Sequence, residues 1–198
     1  MTHHRKVAAV VVGGGHAGVE AALALARSGQ QTLLVTFRSD RLAWASCNPA
    51  IGGLAKGHLA REVDALGGQM GITTDRTGIQ FRRLNLSKGP AVRSTRAQID
   101  MGRYAADIGE VVAQTESLQV VDDEVVEVLL QGHSVSGVKL ARRGQVDCRA
   151  VVVTAGTFLA GVIHIGEEQI PAGRMDDPGA DRLALWFREQ GFRTGRLK

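Results

Sequence analysis

The sequence predicts an α/β fold in which a doubly wound parallel sheet is joined to an antiparallel β-meander. Three observations carry this. The apolar run "VAAVVV" (residues 7–12) stops at three glycines and leads into an amphipathic segment. The run "TLLVT" (Thr32–Thr36) follows soon after. Five short runs rich in β-branched residues then crowd into residues 118–156.

Each element has its own reason. A continuous apolar run that ends in glycine reads as a buried parallel strand entering a tight turn. In "HAGVEAALALARSG", Val19, Ala22, Leu23 and Ala26 recur at helical spacing, and Gly29 supplies the stop. With residues 32–36 as the second strand this is a βαβ unit, the start of a Rossmann-like sheet. Residues 39–53 carry turn and loop signals. "KGHLAREVDALGG" reads as a second helix with Leu59, Val63 and Leu66 on one face. Glycine-rich and basic segments follow it. A third helix is expected over residues 96–115, with Ile99, Ala106 and Val111 on its apolar face and no proline inside it. "LQVV", "EVVEVLL", "SVSGVKLA" and "QVDC" are separated by hairpin signals and lead to a buried strand over residues 150–154. The last element, "GADRLALWFREQGF", reads as an amphipathic helix using Leu183, Leu185, Trp186 and Phe187.

With 198 residues the chain suits one well-buried domain. At 44% hydrophobic and 22% charged it has the composition of a globular protein. No apolar run approaches the roughly 20 residues of a membrane span, and "MTHHRK" leaves no room for a signal peptide before the first strand. Two cysteines, Cys47 and Cys148, are too few for a disulfide framework or a cysteine metal site, so a reducing, cytoplasmic location is expected. The net charge of +4 is unevenly spread: Arg82, Arg83, Lys88, Arg93, Arg96 and Arg103 face one acid, Asp100, in residues 82–103. That stretch is either a solvated surface or a place for a polyanion.

"GGGHAG" matches G-x-G-x-x-G and stands where the pattern has meaning, between a strand and a helix. Gly13 suits the tight turn, Gly15 the approach of backbone to a pyrophosphate, and Gly18 close packing of helix on strand. Gly14, His16 and Ala17 complete the turn, His16 through its backbone, so that helix N-terminal N–H groups face phosphate. The second strand of such a site usually ends in Asp or Glu to hold a ribose. Here the position is Thr36, with Asp40 further along the loop, which argues against a common NAD dehydrogenase. A meander closed by "VVVTAGTF" resembles the layout of two-dinucleotide-fold flavoproteins, and that resemblance favours FAD. In such folds a meander backbone contacts the adenine, and Val126 is the candidate, its other reading being an ordinary core valine.

The resemblance then narrows. "GGGHAGVEAALALARSGQQTLLVT", "SCNPAIGGLAKGHLAREVDALGG", "GIQFRRLNLSKGPAVRSTRAQID" and "GTFLAGVIHIGEE" resemble consecutive segments of the MnmG (GidA) family, FAD-dependent enzymes that modify the wobble uridine of certain tRNAs. The resemblance implies a 5-carboxymethylaminomethyl modification enzyme that works as a homodimer with the GTPase partner MnmE. It also implies NADH as reductant and methylenetetrahydrofolate as one-carbon donor. On this view residues 1–198 are the N-terminal part of the FAD-binding domain, and the family's NADH-binding insertion and C-terminal helical domain are absent. "GRMDDPGA" stands where relatives have Gly-Asp-Pro-Pro-Ser after "GR".

The resemblance also implies a flavin-facing catalytic role for Cys47 in "SCNPAIGG". A thiolate can add to a pyrimidine ring, and N–H groups of a glycine loop would lower its pKa; the other reading is a loop cysteine whose neighbours shape a turn. Cys148 reads as packing. Arg82, Arg83, Lys88, Arg93 and Arg96 become candidates for tRNA phosphates. Two alternatives stay open: a flavin-binding relative that catalyses nothing by itself, and an NAD-dependent oxidoreductase.

Overall fold

Four small or β-branched residues, all buried, make a central strand that is paired on both edges and packed on both faces. In the computed structural model, residues 5–46, 48–53, 55–174 and 177–195 are described. A two-residue strand β1 (Arg5–Lys6) precedes β2 (Ala9–Val12), then α1 (His16–Arg27) and β3 (Thr32–Thr36) complete the expected βαβ unit. Gly29, at φ +77°, ends α1 in the left-handed conformation that glycine adopts without strain.

Residues 50–84 contain more regular structure than the sequence suggests: β4 (Ala50–Gly52), α2 (Lys56–Ala65), α3 (Gln69–Thr77) and β5 (Gly78–Leu84). Next come β6 (Ser94–Ile99), α4 (Met101–Gln114), β7 (Leu118–Asp122), β8 (Val125–Gln131), β9 (Ser134–Leu140), β10 (Gly144–Asp147) and β11 (Ala150–Val153). A hairpin, β12 (Val162–Ile165) with β13 (Glu168–Pro171), leads to α5 (Asp181–Glu189).

The parallel sheet has the order β11-β2-β3-β7. Alternation along its strands sends Val10, Val12, Leu33 and Val35 to one core, shared with β8, β9, β10 and α5. Val11 and Leu34 go to the other, shared with Val19 and Leu23 of α1 and Tyr104, Ile108 and Val112 of α4. Both faces are therefore covered, as a parallel sheet requires. The meander is β8, β9 and β10, antiparallel in sequence, with β1 added parallel to β10. A third sheet, β4-β6-β5, is antiparallel.

Five expectations are corrected. Residues 96–99 are strand rather than helix, because β6 pairs with β4 on one side and β5 on the other, and the helix starts only after Asp100, whose carboxylate accepts the Arg103 N–H at 3.0 Å. The buried stripe of α4 is Tyr104, Ile108 and Val112, not the face of Ala106 and Val111. On α2, Leu59 is 62% exposed, and Leu66, the residue that caps its C-terminus, is 90% exposed. That helix docks through Gly57, where a Cβ would lie 3.1 Å from Ser94 Cβ, so close backbone approach replaces an apolar face. On α5, Leu185 is exposed and Ala184 takes its place beside Leu183 and Trp186. Residues 118–121 belong to the parallel sheet as β7 and not to the meander.

Helix α3 escaped notice because its buried stripe is polar. Gln69, Thr73, Thr74 and Thr77 are all buried. Thr73 donates its hydroxyl to Asp107 at 2.6 Å and accepts from the Gln69 side chain at 3.2 Å, while Glu20 of α1 accepts the Gln69 and Met70 N–H groups at the helix start. Each buried polar group there has a partner, which is what makes such a stripe tolerable.

Candidate functional site

The cleft lies at the C-terminal ends of β2, β3 and β11, where open α/β sheets place their ligands. Its floor is the glycine turn. Gly13, at φ +104°, comes so close to β11 that a Cβ would stand 2.7 Å from the Thr154 carbonyl oxygen. The Gly13 N–H donates to Val35 O at 2.8 Å, and the Thr154 hydroxyl donates to Val12 O at 2.8 Å. Gly18 carries α1 against this turn, since a Cβ there would fall 1.8 Å from Gly13 O. Gly15 differs: no heavy atom lies within 4 Å of where its Cβ would be. The three glycines thus divide into two that the fold needs and one that leaves room, the division a bound pyrophosphate demands.

Gly14 also lines the cleft, and a Cβ on it would meet Thr36 Oγ1 at 2.7 Å. Thr36 ends β3 on the cleft wall, its carbonyl accepting the Asp123 N–H at 2.9 Å. Ala17 and His16 sit in the first turn of α1. The His16 ring packs 5.7 Å from that of Tyr104, and its pKa is lowered from 6.5 by burial first, then by Lys56 and Arg174. Its imidazole is therefore neutral at pH 7 and adds no charge to the turn.

The meander contributes Asp123, Glu124 and Val125 to the wall. Val126, the candidate for a backbone contact to the adenine, is half-buried and stands where the β8–β9 register shifts; the neighbouring Val125 lines the cleft and Val126 does not.

Several further residues line the cleft that the sequence does not single out individually, Phe158, Arg174 and Asp177 among them, although the segments "GTFLAGVIHIGEE" and "GRMDDPGA" that hold them bear on the family resemblance. Phe37 and Phe158 stack with centroids 6.0 Å apart, and the Arg174 guanidinium lies 5.6 Å from the Phe158 ring centroid. Arg38, Arg41 and Trp44 close the side after β3. Asp177 stands opposite Arg41, with 3.5 Å between Arg41 Nη1 and Asp177 Oδ2. Nothing in local spacing announces these residues, since Arg41 and Asp177 meet across 136 positions of chain.

Cys47 lies outside the described residues. Around it the chain is anchored: the Ile99 N–H donates to Pro49 O at 2.8 Å, Arg96 donates to the Asn48 side chain at 3.1 Å, and the Ala43 N–H donates to Gly14 O at 2.8 Å. The described residues on either side of position 47 are thus tied to the glycine turn through Ala43 and to β6 through Asn48 and Pro49. Cys148 is buried in the core, and burial raises its thiol pKa, which fits packing.

The five basic candidates are gathered on the third sheet, away from the cleft lining. Arg82 and Arg83 are on β5, Arg96 is on β6, and Lys88 and Arg93 lie on the connection between the two strands. Arg82 and Arg96 are direct cross-strand partners. Among the described residues none of the five pairs with a carboxylate. No described cluster of His, Cys, Asp and Glu could hold a metal, and no described helix is long and apolar enough to cross a membrane.

Residues 8–198 match the family described as glucose inhibited division protein A. The chain is 53% identical over 189 residues to the tRNA uridine 5-carboxymethylaminomethyl modification enzyme MnmG of a Nitratiruptor species, covering 96% of this chain and 30% of that protein. The MnmG of Aliarcobacter butzleri is 52% identical, with the same coverage. Aquifex aeolicus GidA superposes with a TM-score of 0.90 at 47% identity, over 95% of this chain and 31% of that one. The Pseudomonas aeruginosa protein pqsL, described as "a probable FAD-dependent monooxygenase", shares the fold alone, with a TM-score of 0.54 at 17% identity over 74% of this chain and 42% of that one. The chain spans about 30% of the length of the curated relatives it matches.

Proposed function

The chain belongs to the GidA (MnmG) family, and on that premise we propose that its cleft binds FAD and that it serves as the FAD-binding N-terminal part of an enzyme adding a carboxymethylaminomethyl group at C5 of the tRNA wobble uridine. The observation that carries the cofactor reading is the unequal crowding of the three motif glycines, with only Gly15 facing open space.

Gly14, Gly15 and the first N–H groups of α1 would hold the pyrophosphate, and Thr36 would hydrogen-bond the ribose without charge assistance. The neutral His16 leaves that turn free of side-chain charge. When bound, FAD supplies an acceptor and donor of two electrons. The chain's part is to position it and to bring the segment of Cys47 beside it. Cys47 is proposed as the nucleophile that adds to the pyrimidine ring and activates C5.

The exposed cations Arg82, Arg83, Lys88 and Arg93, with Arg96, would contact tRNA phosphates. NADH, methylenetetrahydrofolate, the GTPase partner MnmE and a homodimer belong to the same reading, as does a cytoplasmic location. Residues 1–198 would then be one part of the FAD-binding domain of a longer assembly.

A chimera tests the proposal: this chain in place of the matching third of the Nitratiruptor relative, expressed in a strain that lacks the modification. The purified chimera should be yellow, and total tRNA should regain 5-carboxymethylaminomethyl uridine. A yellow chimera with unmodified tRNA would confine the chain to flavin binding.

A further inference from the structure

We infer that Asp177 is the carboxylate that accepts a hydrogen bond from a hydroxyl of the dinucleotide in the cleft, supplying the charge assistance that Thr36 at the end of β3 lacks. This rests on the reading of the cleft as an FAD site.

The acids around the cleft leave one oxygen unaccounted for. Thr36 ends β3, and the next acid, Asp40, is exposed and held by a two-point pair with Arg38 at 3.0 and 2.6 Å. Three described acids line the cleft: Asp123, Glu124 and Asp177. Asp123 is saturated, its Oδ1 accepting the Glu124 and Arg142 N–H groups at 2.8 and 3.1 Å and its Oδ2 the Arg143 N–H at 3.1 Å. Glu124 is engaged at both oxygens by Arg182. Of the three, Asp177 alone keeps an oxygen in reserve.

The Asp177 side chain is 5% exposed, and its Oδ1 has no hydrogen-bond partner among the described residues. Its Oδ2 makes one long contact with Arg41, and its backbone N–H donates to Arg174 O at 3.1 Å. A buried carboxylate oxygen without a donor is costly, and proteins keep such groups where a ligand completes them. The donor must be an O–H or N–H that enters the cleft. A dinucleotide supplies hydroxyls at two places, the adenosine ribose and the ribityl chain, and both offer the same chemistry to a carboxylate.

Titration of FAD, ADP and FMN against the full chain and its Asp177→Ala and Asp177→Asn variants tests this. Asp177→Ala should weaken FAD by about tenfold or more, the ordinary effect of losing a charge-assisted hydrogen bond. It should weaken one fragment by a similar factor and spare the other: loss with ADP places the hydroxyl on the adenosine ribose, loss with FMN on the ribityl chain. Asp177→Asn keeps the shape and one acceptor but loses the charge, so it should fall between, and it decides the matter if Asp177→Ala does not fold. FAD affinity that is unchanged or increased in the folded variants overturns the assignment while leaving the cleft an FAD site. Failure of the unsubstituted chain to bind FAD overturns the site reading, and the assignment with it.

Discussion

Gly13 and Thr154 stand 141 positions apart in the chain and meet with almost no space between them: the Thr154 hydroxyl lies 3.2 Å from Gly13 O, and a Cβ on Gly13 would lie 2.7 Å from Thr154 O. This contact joins β2 to β11 at the mouth of the cleft. The glycine turn is therefore held from behind by the fold, which frees its front for a ligand.

Substitution should separate those two sides. Gly13→Ala meets a positive φ and a backbone clash, and Gly18→Ala a Cβ 1.8 Å from Gly13 O. Each should lose about 3 kcal/mol or more of stability. Gly15→Ala, at the N-cap of α1 and in open space, should lose at most about 1 kcal/mol. Urea denaturation of the three variants provides the ranking, and equal losses would refute it.

Acid should weaken the fold through His16. Unfolded, its imidazole takes a proton near 6.5; folded, burial with Lys56 and Arg174 holds the pKa lower. Below about 6.5 the unfolded chain thus binds more protons, so stability falls as pH falls and levels off once folded His16 also titrates. His16→Gln should reduce the difference in urea midpoint between about pH 7.5 and about pH 5.5. An unchanged difference would assign the acid sensitivity to other groups.

Much of this architecture was legible from the chain alone, and the reason is periodicity. The βαβ unit, the meander strands and the last helix carry apolar residues at the spacing their burial demands. Helix α3 hides because Gln69, Thr73 and Thr77 bury polar groups against one another, and α2 misleads because Leu59 and Leu66 are exposed while Gly57 makes the contact. The boundary at Asp100 was a cap that helix-compatible residues on its N-terminal side obscured. In the site, Gly13, Gly15 and Gly18 were visible as a motif of local geometry. Phe158, Arg174 and Asp177 lie in segments that bear on the family resemblance, but nothing in their spacing assigned them to the cleft, which they reach through tertiary packing.

The opposed cations Arg82 and Arg96 invite a substitution with effects of opposite sign. Arg82→Glu turns a like-charge cross-strand pair into an attractive one and should stabilise the third sheet by up to about 1 kcal/mol. The same change should weaken tRNA binding and flatten its salt dependence. Tighter binding with Glu in place would remove this surface from the RNA-facing side.

Thiol labelling distinguishes the two cysteines. Burial keeps the Cys148 thiol protonated and covered, so the folded chain should react near neutral pH at Cys47 alone, and at both positions in denaturant. Mass mapping of the label at Cys148 first would contradict the assignment.

The most direct test of the central reading is a paired titration of FAD and NAD against the unsubstituted chain and Gly15→Val. FAD should bind more tightly than NAD, and Gly15→Val should lose FAD while keeping its fold, because the added side chain fills the space left for the pyrophosphate. Tighter binding of NAD, or FAD affinity that Gly15→Val leaves unchanged, would contradict the account.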